Sequence, residues 1–193
     1  RKELGKQIEK DLDAEPGQPV VAYNSGWHQG VIGIVAGQIC SRSQAPAILM
    51  TDGRDGSIVG SARSVEGVDI YHVLAGCSKC LHKFGGHPAA AGFSLSPDKL
   101  ASFTQAAQQV LAEEMEGWVP PELTVDLVTK AGDVRLELAE ELGAMAPCGE
   151  GNPRPLLYSQ SLTVKNIRPA GPGHILTLGD SKHSFAAGLW DGG

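Results

Sequence analysis

The sequence predicts an α/β module followed by a small, mostly β domain, and three observations predict it. Apolar runs of strand length alternate with stretches of helical spacing as far as about residue 116. Trp118-Val119-Pro120-Pro121 then stops the pattern, because neither proline fits a helix interior and each restricts the residue before it. Beyond one more short helix, the chain turns to β-rich runs punctuated by glycine and proline. With 193 residues, 41% hydrophobic and 20% charged, there is material for two small domains.

In chain order, RKELGKQIEKDLDAE reads as a charged helix, assigned to residues 1–17 as the end of an interdomain linker. PVVAYN, after Pro16-Gly17, reads as a buried strand. In GWHQGVIGIVAGQICSRS the period changes, and Val31, Ile34, Val35, Ile39 and Cys40 fall at helical spacing. APAILM returns to a strand, and TDGRDG supplies an Asp55-Gly56 turn before SIVGSARS, so these two runs form a hairpin. Residues 69–82 read as a helix carrying Cys77 and Cys80, and HPAAAGFSL as one further strand. Ser96-Pro97-Asp98 introduces a helix with Leu100, Phe103, Val110 and Leu111 on its apolar side. This module is assigned to residues 18–117 and the second domain to 118–193. The latter holds ELTVDLV, a helix over 134–144, the loop APCGEGNPRP, and three β-rich runs, LYSQSLTVKNIRPA, HILTLGD and HSFAAGLW, as a meander in a small barrel or sandwich.

Composition narrows the function. No apolar run reaches the roughly 18 residues of a membrane span, and no signal architecture is evident, so a cytoplasmic protein is expected. Cys40, Cys77, Cys80 and Cys148 are too sparse for a disulfide framework and are read as reduced thiols. A net charge of −6 argues against a generic basic nucleic-acid binder while leaving room for a local phosphate pocket. The start at Arg1 and the end at Gly193, directly after a strand, lead us to expect a piece of something larger, truncated in its second domain.

Three short stretches of the first module share one chemical character. Trp27-His28-Gln29-Gly30 precedes a helix, so His28 and the free N–H groups of the first turn are candidates to face an anion. Gly60-Ser61-Ala62-Arg63-Ser64 sets two hydroxyls beside a guanidinium, whose planar fork of donors matches a phosphate. Gly85-Gly86-His87 combines close backbone approach with an imidazole donor. Taken singly they have plainer readings, the histidine after Trp27 as a packed structural residue and the SAR tripeptide as an ordinary strand end. Together they suggest a phosphate pocket. Cys77-Ser78-Lys79-Cys80 with His82 and His87 lacks the second knuckle of a structural zinc site, so no metal is assigned to this chain. Paired aspartates, an Asp-His-His triplet, a His-Glu-x-x-His helix, a Walker loop and a Gly-x-Ser-x-Gly elbow are all missing, so the pocket reads as half of a site.

GWHQGVIGIVAGQI, GSARS and KFGGHPAAAGFSL resemble, in order, the DHHA1 domain of RecJ-type proteins, the single-stranded-DNA-specific 5′-to-3′ exonucleases of the DHH phosphoesterase superfamily. MAPCGEGNPRPLL is similar to the loop of the OB-like domain that follows DHHA1 there, with Cys148 in place of the usual aromatic. The resemblance implies an α/β DHHA1 domain, a mixed sheet flanked by helices, followed by a mostly β OB-like domain. It implies that Mn2+ or Mg2+ is held by a separate DHH domain, so that this chain alone is inactive. It further implies that Gly85, Gly86 and His87 reach the phosphodiester, that Ser61 and Arg63 hold the 5′-terminal phosphate, and that His28 and Gly30 line the same cleft. In the OB-like domain Tyr158, Phe185 and Trp190 are candidate stacking or core aromatics, and Arg154, Lys165 and Arg168 the candidate groove cations. The partner so implied is single-stranded DNA with a 5′-phosphate, with a single-strand-binding protein as a further one and a monomeric chain. The rivals are a DHH-family oligoribonuclease or cyclic-dinucleotide phosphodiesterase, and a non-catalytic single-strand-binding module.

Overall fold

The computed structural model of the chain describes residues 3, 5, 8, 12, 14–120, 122–149 and 151–190. It divides into two compact units, Arg1–Pro121 and Glu122–Gly193. The helix expected over 1–17 lies mostly outside the described residues, although Ile8 within it is buried in the first unit's core.

The first unit is a five-stranded mixed sheet. Its strands are β1 (Val20–Tyr23), β2 (Ala47–Asp52), β3 (Ile58–Arg63), β4 (Lys83–His87) and β5 (Ala90–Leu95), in the spatial order β1-β2-β3-β5-β4. Only β1 and β2 are parallel, joined through helix α1 (Gln29–Ser43), and every other pair is antiparallel. Alternation along the strands sorts the residues to two faces. Ala47 and Leu49 pack with Val31, Ile32, Val35 and Ile39 of α1. Ile48, Met50, Ile58, Ala62, Ala91, Phe93 and Leu95 pack on the other face with α2 (Ile70–Gly76) and α3 (Leu100–Glu114). Phe103 of α3 is fully buried with its ring 4.7 Å from that of Phe93, and burying such a side chain contributes about 1.5–3 kcal/mol. Phe93 in turn explains Gly60, where a Cβ would stand 2.1 Å from the Phe93 ring.

Local chemistry accounts for the connections. The β2–β3 hairpin closes on Asp55, whose carboxylate accepts from the N–H and hydroxyl of Ser57, with Gly56 at φ 79°. Asp69 caps α2 by accepting from the N–H groups of Tyr71 and His72. Three expectations are corrected. PVVAYN is half-buried rather than buried, because β1 is an edge strand with Tyr23 turned to solvent, its hydroxyl donating to Asp52. The helix expected over 69–82 stops at Gly76, and Ser78–Cys80 is a single 3-10 turn, so the two cysteines straddle a helix end. HPAAAGFSL is not one strand, because His87 ends β4, Pro88-Ala89 makes the turn, and β5 starts at Ala90. That turn is tied down by Ile70 N–H donating to the Pro88 carbonyl and Ser64 N–H to that of Ala89.

The second unit is mostly β. Strands β8 (Thr163–Ala170), β9 (Gly173–Gly179) and β10 (Ser184–Trp190) form an antiparallel meander in the order β10-β9-β8. A second, parallel pair joins β6 (Leu127–Thr129) to β7 (Leu157–Ser159). Helix α4 (Leu136–Gly143) precedes the GEGNP loop, in which the Asn152 side-chain amide donates to the carbonyls of Met145 and Pro147. The run LYSQSLTVKNIRPA is broken into β7 and β8, with Ser161 between them in the left-handed region at φ 59°. The expected architecture, a mixed sheet flanked by helices followed by a mostly β domain, is the one observed.

Candidate functional site

Helix α1 covers β2 and β3 on its face of the sheet but not β5 and β4, and strand register shows what is left uncovered. Arg63 pairs with Ala90 and Ala90 with His87, which makes one row across three strands. Ser61, Gly92 and Gly85 make the next row, and Val59, Ser94 and Lys83 the third. Partners in register share a face, so each row presents its side chains together. The middle row has almost none. A cleft of about 510 Å³ opens over it, lined by Ser61, Gly85, Gly92, Lys83, Ser94 and Val59 with Gln29 and Ile32 of α1, among others. A second hollow of about 390 Å³, between Pro19, Ala112, Met115, Trp118 and Pro120, is lined by no charged side chain.

Each expected residue has a definite place. Ser61 and Gly85 line the cleft. Gly85 and Gly92 are exposed, and a Cβ on Gly85 would meet nothing within 4 Å, so that glycine leaves space open. Gly86 differs. It sits at φ 150°, and a Cβ there would stand 2.3 Å from the Ala90 carbonyl oxygen, so it is required by the hairpin's own backbone. Arg63 and His87 fall in the row beside the cleft, outside its lining. The Arg63 guanidinium is half-buried, donates 2.8 Å to the Ala62 carbonyl, and lies close to α1 at Gly33. Burial pushes the Cys40 thiol upward, and the Arg63 charge opposes that, which again places the guanidinium against α1. His87 is exposed at the end of β4. The second hydroxyl of GSARS does not join the group, because Ser64 Oγ is buried with no hydrogen-bond partner.

His28 is the N-cap of α1. Its Nδ1 accepts from the Gly30 N–H at 3.0 Å, taking up one of the orphan donors that an anion would use. Gly30 leaves room for this, since a Cβ there would lie 3.2 Å from the His28 ring. The neighbour of His28, Gln29, lines the cleft instead. Sequence reading missed Gln29, Lys83 and Gly92. The signal for the last two was the alternation of KFGGH and AAGFSL, visible only once Pro88-Ala89 is recognised as the turn.

Cys77 is buried, and desolvation pushes its thiol up to about 11. Among the described residues no three His, Cys, Asp or Glu side chains converge as a metal site would require. No helix among them is long and apolar enough to cross a membrane.

In the second unit Arg154, Lys165 and Arg168 are all exposed. Lys165 occupies the bulge between Val164 and Asn166 and donates to the His183 carbonyl. Trp190 is exposed, and its indole lies over Gly188, where a Cβ would come within 2.7 Å of Nε1. Tyr158 is half exposed and Phe185 more buried.

Comparison with known proteins identifies these two units. The DHHA1 domain model matches residues 17–113 and the RecJ OB domain model residues 125–193. The chain belongs to the DHHA1 family, with a RecJ OB domain following. The single-stranded-DNA-specific exonuclease RecJ of Bacillus subtilis is 34% identical over 157 residues, which cover 79% of this chain and 20% of that protein. Its Escherichia coli counterpart is 33% identical over 193 residues, 90% of this chain and 33% of that one. The crystal structure of Thermus thermophilus RecJ in complex with Mg2+ superimposes with a TM-score of 0.74 at 26% identity, covering 98% of this chain and 30% of that one. The Mn2+ complex of the same protein shares the fold, with a TM-score of 0.76 at 24% identity over 100% of this chain and 28% of that one. The chain thus spans 20% to 33% of the length of these two curated relatives.

Proposed function

We propose that this chain is the substrate-binding part of a 5′-to-3′ single-stranded-DNA exonuclease, holding the 5′-phosphate and adjoining backbone against a metal-bearing DHH domain outside this sequence. One observation carries the reading, the row Ser61–Gly92–Gly85 laid bare beside the row Arg63–Ala90–His87. A floor without side chains lets a sugar-phosphate backbone approach the sheet, and a guanidinium and an imidazole flank it. Arg63, with Ser61, would bind the terminal phosphate through its planar donors. His87, exposed and in the same row, would donate to a phosphate oxygen as negative charge grows on it, which is the stabilisation such a reaction needs. His28 would act through the first turn of α1, which it caps, bringing Gln29 to the cleft. The exposed cations Arg154, Lys165 and Arg168 would guide the strand along the OB domain. The names of the relatives, single-stranded-DNA-specific exonucleases, support the substrate class.

The test is binding of fluorescent single-stranded DNA with and without a 5′-phosphate, for wild type and Arg63→Ala. The phosphate is expected to strengthen wild-type binding, and Arg63→Ala to erase the difference. Equal binding of the two DNAs by wild type would refute the terminal-phosphate site.

A further inference from the structure

Of the rows across the open sheet face, the one ending in Lys83 has no part in the reading above. Lys83 lines the cleft and opens β4, while His87 closes it. Both belong to rows on the same face, four residues apart, which is about 13 Å along an extended strand. The row between them holds Ser61, Gly92 and Gly85, so no large side chain interrupts the path. Gly92, like Gly85, is exposed, and the nearest atom to a Cβ there would be the Gly60 carbonyl oxygen at 3.7 Å. The fold alone would therefore accept alanine at either position. What keeps them bare is not the packing of the sheet.

Lys83 is exposed. The carboxylate whose charge it touches is Asp55, held below its usual range first by the Ser57 hydroxyl and only least by Lys83. Asp55 is thus occupied by its own turn. Ser94, in register with Lys83, is buried and adds no charge.

We propose that Lys83 is a second phosphate-positioning residue, holding an internal phosphate of the strand whose 5′ end lies at Ser61 and Arg63, with Gly85 and Gly92 as the bare floor between. This rests on the terminal-phosphate reading and adds a direction to it. The strand crosses β5 and β4 over the glycine pair and leaves past Lys83. A mononucleotide reaches only the first anchor, and an oligonucleotide reaches both.

Calorimetric titration of the full chain with 5′-phosphorylated thymidine mono-, di- and tetranucleotides, at two salt concentrations, tests this for wild type, Lys83→Gln and Lys83→Arg. Wild type is expected to gain affinity with length. Lys83→Gln should lose about tenfold on the tetranucleotide and lower the salt slope by about 0.7, the increment for one phosphate contact on a single strand. Its mononucleotide affinity should be unchanged, and Lys83→Arg should restore the gain. If Lys83→Gln keeps the full gain with length, or weakens mononucleotide and tetranucleotide alike, the second anchor is refuted while the terminal-phosphate reading stands. If wild type binds none of the three, both are overturned.

Discussion

Gly33 of α1 lies directly against Ser61 of β3, so close that a Cβ on Gly33 would stand 3.0 Å from the Ser61 hydroxyl and 3.3 Å from Arg63 Nη2. A helix gains about 1 kcal/mol from alanine in place of an interior glycine, yet this glycine sets how near α1 comes to two polar side chains of the sheet. The extra methyl would be accommodated by turning Ser61 or shifting the guanidinium by a few tenths of an ångström. Gly33→Ala is therefore expected to melt within a few degrees of wild type and to lose preference for 5′-phosphorylated DNA. A variant that keeps the preference unchanged would show that the positions of Ser61 and Arg63 beside α1 do not matter to binding.

The two adjacent glycines of β4 should respond in opposite ways. At Gly86 any side chain meets the Ala90 carbonyl and the Ala91 backbone at a φ that L residues rarely adopt, so Gly86→Ala should cost stability on the order of 1–3 kcal/mol, the usual range for such backbone strain. Gly85→Ala meets nothing and should leave the melting temperature in place while weakening oligonucleotide binding through loss of the floor. Thermal unfolding and DNA titration of the two variants separate these effects, and a Gly85→Ala protein that binds as wild type would argue against a backbone ligand on that floor.

His28 offers a test of cap against contact. Its Nδ1 serves the Gly30 N–H, so His28→Ala should destabilise the protein by about 1 kcal/mol, the usual loss for an N-cap. His28→Asn supplies a side-chain acceptor of similar reach and should recover most of that loss. If His28→Asn restores both stability and DNA affinity, the histidine acts through the helix. If stability returns and affinity does not, the exposed ring touches the ligand.

Sequence was a good guide where the deciding chemistry is local. The β2–β3 hairpin was legible because Asp55-Gly56 carries its own turn chemistry, and α1 because its apolar residues keep helical spacing. The β4–β5 hairpin was not. Its turn is Pro88-Ala89, held from outside by Ile70 and Ser64, inside the run that reads as one strand, and the two glycines lie within β4. Long-range partners, rather than local propensity, made that choice. The same limit hid half of the site. Ser61 and Gly85 could be singled out by residue type, but Lys83 and Gly92 join them only through cross-strand register. His28 and Arg63 have chemistry that suggests an anion, and the structure finds the first capping a helix and the second half-covered by one.

The cysteines give a prediction that is independent of DNA. Cys77 ends α2 under the apolar core, and desolvation holds its thiol protonated up to about 11, against an ordinary value near 9. A thiol whose folded pKa is raised binds its proton more tightly when folded, so the stability it contributes is complete below pH 9 and is lost as pH rises toward 11. Thermal midpoints of wild type should therefore fall between pH 9 and 11 more steeply than those of Cys77→Ala, whose lower midpoint reflects a lost buried group and does not titrate in that window. The same burial protects the thiol chemically, because the thiolate is the reactive form. Brief alkylation with iodoacetamide at pH 8, read by mass spectrometry, should label the half-buried Cys80 and Cys148 and spare Cys77 until the protein is unfolded. Rapid labelling of Cys77 in the folded protein would mean that the end of α2 opens readily, and the alkaline loss of stability would then have to come from another group.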